Sequence, residues 1–424
     1  MLIEFQVQNY RSFKERQTFS MVSAALPEHR QSNTFDSGLR DFDPLLRSAV
    51  VYGANAAGKT NLMRAIQFMQ SFVLTSASTT TSALYPYNPF KLSKATRELP
   101  SAFDITFVQD GARYEYGFDM GPKRIERERL IQHVESRSRT RGRLLFERMF
   151  NKQKNDYNWE FGPFFRGQRT TWAQSTRPDA LFLSVATQLN SLQLRPVFDW
   201  FQKKLVPIVG ATKMNPSLTL KVWEEPDGRG RLLPFLKEAD LGVIDINIQK
   251  EPIPASGPVA IRGAMIDQRP GSPTPDMVKV LLSHMSEDPN VPVPFDFEDE
   301  SSGTQLLFLT AGAWLNVIQN AEVLIFDEID TNMHSGLLRF LIQKFHSEIT
   351  NPNNAQLVCS THNTSLLDHD IFRRDQFWFV EKQQTGASKL YPLTDFSPRN
   401  DEVIERWYMR GRYGALPVLP GGPK

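Results

Sequence analysis

Eight residues, Gly53-Ala-Asn-Ala-Ala-Gly58-Lys59-Thr60, constrain this chain more than any others. A glycine, four residues and then Gly-Lys-Thr is the spacing of a loop that wraps phosphate with its backbone N–H groups. The apolar run Ala49–Tyr52 precedes it, and a stretch of helical character begins at Asn61. Strand, glycine-rich loop and helix is the geometry such a loop needs, because the helix then points its positive N-terminal end at the phosphates. The competing reading, a glycine-rich turn that only opens a helix, leaves this flanking context unexplained.

The loop assigns roles. Lys59 is expected on the β- and γ-phosphate oxygens, and Thr60 is expected to place its hydroxyl on Mg2+. Asn55, Gly58 and Asn61 complete the nucleotide-facing set. Far downstream, Val323-Leu324-Ile325-Phe326 reads as a central parallel strand buried on both faces. Asp327 at its tip is expected to hold Mg2+, and Glu328 to polarise the attacking water. An Asp-Glu pair at a strand end can be structural, but beside a phosphate loop the catalytic reading gains weight. No Asn-Lys-x-Asp guanine motif occurs, which favours ATP over GTP.

At 424 residues the chain is long enough for a large core and more than one unit. A formal net charge of +2 announces no nucleic-acid binder, so any basic surface must be local. No apolar run approaches the length of a membrane-spanning helix. Met1–Val7 alternates like a strand and lacks a signal-peptide profile, and Cys359 is the one cysteine; both suit the cytoplasm.

Further strands are expected at 102–108 and 114–118, around a hairpin signal in Gln109–Arg113, with 125–134 and 143–150 continuing that sheet. Residues 177–205 read as helix. Residues 251–294, rich in proline and glycine, read as irregular, with a short helix at 276–287. This divides the chain into 1–176, 177–290 as an inserted helical lid or arm, and 291–424.

Three more signals follow in order. Ser301-Ser302-Gly303-Thr304-Gln305 opens a helix after an acidic run, Asp330 lies two residues past Glu328, and His362 follows the strand Gln356–Ser360. With the Asn9-Tyr10-Arg11-Ser12-Phe13 opening and the closing Arg410–Pro417, they make the chain resemble the SMC/RecF/OLD branch of ABC-type ATPases. It is most similar to the single-head AAA-family ATP/GTP phosphatases of bacterial defence operons (RloA-like). The resemblance implies an α/β ABC-type P-loop head with a β-rich subdomain. It implies a homodimer or higher homo-oligomer in which Ser302 and Gly303 of one copy cap the γ-phosphate held by the other. Asp330 would cross that interface, His362 would sense the γ-phosphate, and Arg11 would join the nucleotide site. Thr304 departs from the Leu-Ser-Gly-Gly-Gln signature, and the glutamine of a Q-loop is not placed by the sequence.

Residues 123–148 carry nine Lys/Arg against four Glu, and aromatics follow from Tyr157 to Trp172. Arginines beside stacking rings suit nucleic acid; a solvated sheet face beside core aromatics is the alternative. About 60 residues follow His362, too few for a Toprim nuclease. An effector, nuclease or toxin, is therefore expected on a separate chain in an antiviral switch. A RecF-like DNA-repair ATPase is the alternative, and a transporter subunit fits the signature poorly.

Overall fold

The computed structural model describes residues 1–79, 87–135, 140–210, 216–239, 242–252, 264–267, 276–288, 290–399 and 402–417. Its centre is a six-stranded sheet in the order Leu205–Ile208, Val323–Phe326, Gln356–Ser360, Ser48–Tyr52, Phe377–Lys382, Ser388–Pro392. The first five strands run parallel and the last is antiparallel. Continuous apolar runs form these strands because both faces are covered. Along Ser48–Tyr52, Ala49 and Val51 join one core cluster while Val50 and Tyr52 join the other. Val323 and Ile325 alternate in the same way with Leu324 and Phe326. That period of two turns one strand into the partition between two cores.

On one side, the helix Lys59–Thr75 buries Leu62, Met63, Ile66, Met69 and Val73. Each such side chain contributes about 1.5–3 kcal/mol by leaving water. The same core takes the inner face of a seven-stranded antiparallel sheet, ordered Asp156–Phe161, Thr140–Asn151, Ile125–Glu135, Ala112–Met120, Ser101–Gln109, Leu2–Gln8, Gln17–Ser20. Its central hairpin turns at Asp110 and Gly111, both at positive φ (52° and 72°), as a two-residue turn matched to strand twist requires. On the other side, the helices Ser302–Gln319 and Ser335–His346 complete the second core. Buried Gln356 ties the sheets together: its Oε1 accepts from Leu2 N–H (2.6 Å), and its Nε2 donates to the carbonyls of Leu2 and Leu46 (both 3.1 Å).

The fold is therefore mixed α/β, with a parallel core and a β-rich antiparallel part. Three sequence expectations change. Residues 276–287 are not helical: Asp276–His284 is a strand, because Val278, Val280 and Leu282 alternate inward. It pairs with Val243–Pro252, Ala264–Asp267 and Val293–Asp296, so 251–294 holds an antiparallel sheet rather than irregular chain alone. Residues 177–205 form two short helices, Phe182–Gln188 and Arg195–Lys203, and the chain then enters the core sheet at Leu205–Ile208. The stretch 177–290 is thus part helix and part strand. Residues 80–83, the end of a serine/threonine-rich stretch that reads as a surface loop over 75–83, and Asp240-Leu241 lie outside the described residues.

Much of the basic run at 123–148 is balanced locally. Arg127 and Arg129 face Asp104, Asp119 and Glu147 at 3.6–4.0 Å on the outer sheet face. Arg148 and Glu128 form a fully buried pair at 2.9 Å. Glu128 also accepts from Tyr116 Oη (3.0 Å) and from the N–H groups of Phe182 (2.7 Å) and Leu183 (3.0 Å). One carboxylate thus fixes the start of a helix against the sheet. Glu128→Gln would leave the Arg148 charge buried and unpaired. We expect a loss of about 3–5 kcal/mol in urea unfolding; an unchanged midpoint would contradict this.

Candidate active site

The phosphate loop sits between the central strand Ser48–Tyr52 and the helix Lys59–Thr75. Two other parts of the chain clamp it. Ser388 on the antiparallel edge strand donates its hydroxyl to the Ala57 carbonyl, and its N–H bonds the Ser12 carbonyl at 2.7 Å. Ser12 Oγ accepts from Asn61 Nδ2 at 2.8 Å. Gly58 adopts φ +123°, and a Cβ there would stand 2.3 Å from Ser388 Oγ and 2.9 Å from Ser12 Oγ. Only glycine meets both conditions.

Lys59 is 5% exposed. Its ammonium turns back on the loop, donating to the carbonyls of Gly53 (2.6 Å) and Ala54 (3.2 Å). Burial pulls its pKa down to about 8, against the opposing pull of Asp327, Glu328 and Asp330. Phosphate oxygens arriving here would favour the charged form.

Thr60 Oγ1 donates to Asp327 Oδ1 at 3.3 Å, although 267 positions separate them. The same buried oxygen accepts from Ser360 Oγ at 2.7 Å, and Ser360 Oγ accepts from Glu328 N–H at 2.7 Å. One hydroxyl therefore fixes both acidic residues. Glu328 itself is left-handed, at φ +49°, a conformation that costs roughly 1–2 kcal/mol in a residue with a Cβ and that concentrates at functional sites. Asp330 Oδ2 accepts from His362 N–H at 3.1 Å, while its Oδ1 is buried with no hydrogen-bond partner among the described residues. The His362 pKa is lowered by desolvation and then by the charge of Lys59. The structure thus gathers Lys59, Thr60, Asp327, Glu328, Asp330 and His362 at one end of the parallel sheet. The adjacent hydroxyl and carboxylate are hard oxygen donors of the kind Mg2+ takes.

Asn55 is exposed on the loop. Asn61 holds the N-terminal hairpin through Ser12. Arg11 lies in that hairpin at φ +49°, with its Nε on Tyr10 Oη at 3.1 Å rather than on the loop. Ser302 and Gly303 are elsewhere. Ser301 caps their helix by accepting from Thr304 N–H at 3.1 Å, which leaves Ser302 at its first turn. They border a cavity of about 650 Å³ with Asn332, His334 and Phe340, to which the phosphate loop contributes nothing. A Cβ on Gly303 would meet the Asn332 carbonyl at 2.6 Å, so glycine lets this helix start approach that turn. Within one chain, the Ser302-Gly303 helix start and the phosphate loop do not line a common cavity among the described residues.

Sequence reasoning missed Ser360, Ser12 and Ser388. Ser360 carried a signal, a hydroxyl ending an apolar strand; the other two are brought in only by tertiary folding.

A phosphate loop after a central parallel strand, with an Asp-Glu pair at the tip of another strand of that sheet, defines a P-loop ATPase. The chain belongs to the family described as "AAA domain, putative AbiEii toxin, Type IV TA system", whose profile matches residues 48–194 and 219–368. No curated protein matches the sequence. Among solved structures, it is similar to an SMC head bound to the C-winged helix domain of ScpA (12% identity, 92% of this chain and 96% of that one, TM-score 0.44). It is also similar to the SMC head domain from Thermotoga maritima (10% identity, 92% and 98%, TM-score 0.41). Among the described residues, no helix is long and apolar enough to cross a membrane.

Proposed function

We propose that the chain hydrolyses ATP at a seam between two copies, and that this closure works a switch. The observation that carries the reading is the separation just described. A helix N-terminus with the composition of an anion site, Ser302-Gly303, opens onto a cavity that its own phosphate loop does not reach. A second copy would supply the missing phosphates.

In this reading Lys59 and the loop N–H groups hold the β- and γ-phosphates. Thr60 and Asp327 would hold Mg2+, which when bound neutralises phosphate charge. Glu328, with its backbone fixed by Ser360, orients the attacking water and takes its proton. Asp330 and His362 move together through their 3.1 Å bond, so a change at the γ-phosphate would reach the turn leading to Asn332 and the signature cavity. The part of 177–290 that follows the core strand Leu205–Ile208 would act as the arm that passes closure on.

We assign the switch to bacterial antiviral defence with a separate nuclease or toxin as effector. The toxin–antitoxin wording of the family description supports that assignment. A DNA-repair role is the second reading, favoured by a cationic, aromatic cavity described below; DNA-stimulated hydrolysis with no effector would distinguish it. The test of the seam is Ser302→Arg. It should keep ATP affinity within about twofold and lower ATPase activity by at least about 100-fold. An active Ser302→Arg protein would overturn the reading.

A further inference from the structure

A second cavity, of about 730 Å³, lies at the Asp156–Phe161 end of the antiparallel sheet. Along that strand, exposed residues alternate with half-buried Tyr157, Trp159 and Phe161. The three rings run in series: Tyr157 to Trp159 at 6.2 Å, then Trp159 to Phe161 at 5.7 Å and nearly parallel (17°). Part of each ring packs toward the core, as Trp159 does on Phe182 at 5.0 Å. None is fully covered; the helix Arg169–Gln174 and the segment Thr176–Pro178 form the opposite wall, which meets the strand where Tyr157 Oη donates to the Pro178 carbonyl at 3.2 Å.

The mouth is cationic. Lys123 and Arg124 line it with Asp156, and the Arg124 guanidinium carbon lies over Phe150 at 3.8 Å from the ring centroid. From within the core, the buried guanidinium of Arg148 packs on Tyr157 and Trp159 at 5.1 and 5.6 Å. Tyr157 Oη is tied to the Ile125 carbonyl at 2.7 Å. The rings are therefore pre-set rather than free to collapse. Stacking faces beside fixed cations match one ligand chemistry, a planar base joined to a phosphate. The volume lies within the range of small-ligand pockets, about 300–1,000 Å³.

We propose that this cavity binds a nucleotide, its base against Trp159 and the neighbouring rings and its phosphate on Lys123 and Arg124. The nucleotide is either free or one unit of a single strand. The site shares no residue with the phosphate loop, so it stands or falls separately from the ATPase reading.

The test uses full-length Lys59→Ala protein, which silences the phosphate loop. Fluorescence anisotropy follows labelled single-stranded DNA and RNA of roughly 20 nucleotides, long enough to track a groove, with unlabelled AMP as competitor. Binding should weaken as salt rises. The exposed-rim variant Lys123→Glu/Arg124→Glu should lose at least about tenfold in affinity and flatten the salt dependence. Trp159→Leu, assayed well below its melting temperature, should lose about tenfold in affinity; if that variant misfolds, the rim variant decides. Competition by AMP assigns the site to free nucleotides, and its failure assigns it to strands. Absence of binding to every probe, or binding indifferent to the rim substitutions, overturns the proposal.

Discussion

Lys59→Ala is expected to abolish tight ATP binding while leaving a folded protein. Truncating one side of a buried, hydrogen-bonded charge pair costs about 2–5 kcal/mol. That is a Kd raised by roughly 30-fold at least, and by thousands at the upper end. The free protein should tolerate the change. Its buried ammonium is already disfavoured, as a pKa of about 8 records, and it spends its donors on the carbonyls of Gly53 and Ala54. Titration calorimetry against ATP, with circular dichroism as the control for folding, checks both halves. Wild-type affinity in a folded variant would contradict the assignment of the phosphate cradle.

Glu328→Gln has the second large effect, and of opposite character. The amide has the same shape, and two features that place residue 328 are backbone ones that the change leaves intact: its N–H on Ser360 Oγ and its left-handed φ. Position should therefore survive while the proton acceptor is lost. General-base removal costs about 10²–10⁴-fold in rate, so ATP should bind normally and turn over slowly. If closure depends on intact ATP, closed dimers should accumulate with this variant, visible as a doubled mass by sedimentation. Wild-type turnover would remove Glu328 from the role of base.

The nucleotide half of this site was legible because its chemistry is local. Gly58, Lys59 and Thr60 are consecutive, and the strand before them had to be apolar throughout to lie in a parallel sheet. Asp327 and Glu328 were legible for the same reason at the end of Val323–Phe326. What joins the halves was not. Ser360 fixes Asp327 and Glu328 from 33 and 32 positions further along the chain, and nothing in sequence order announces that meeting. Ser301 proved to be the cap that frees Ser302, a distinction between adjacent serines that only hydrogen bonding makes.

The misread elements have physical causes too. Asp276–His284 sits in a stretch rich in proline and glycine, which hid its alternation of Val278, Val280 and Leu282. Leu205–Ile208 contains Pro207, which argues against a central strand; it is admitted here because this strand is the edge of the core sheet. The basic run at 123–148 leaves a solvated sheet face and a nucleic-acid surface both open. Arg148 is instead buried on Glu128, and Arg127 and Arg129 face acids on neighbouring strands.

Mixing the Lys59→Ala and Ser302→Arg proteins tests the shared site most directly. On the proposed reading, each homodimer lacks one essential half at both seams. A mixed dimer restores one seam, joining the phosphate loop of the Ser302→Arg copy to the intact signature of the Lys59→Ala copy. With equal amounts and free exchange, roughly a quarter of the wild-type ATPase rate should return. A mixture no more active than its separate components, or a Ser302→Arg protein active alone, would contradict hydrolysis between two copies.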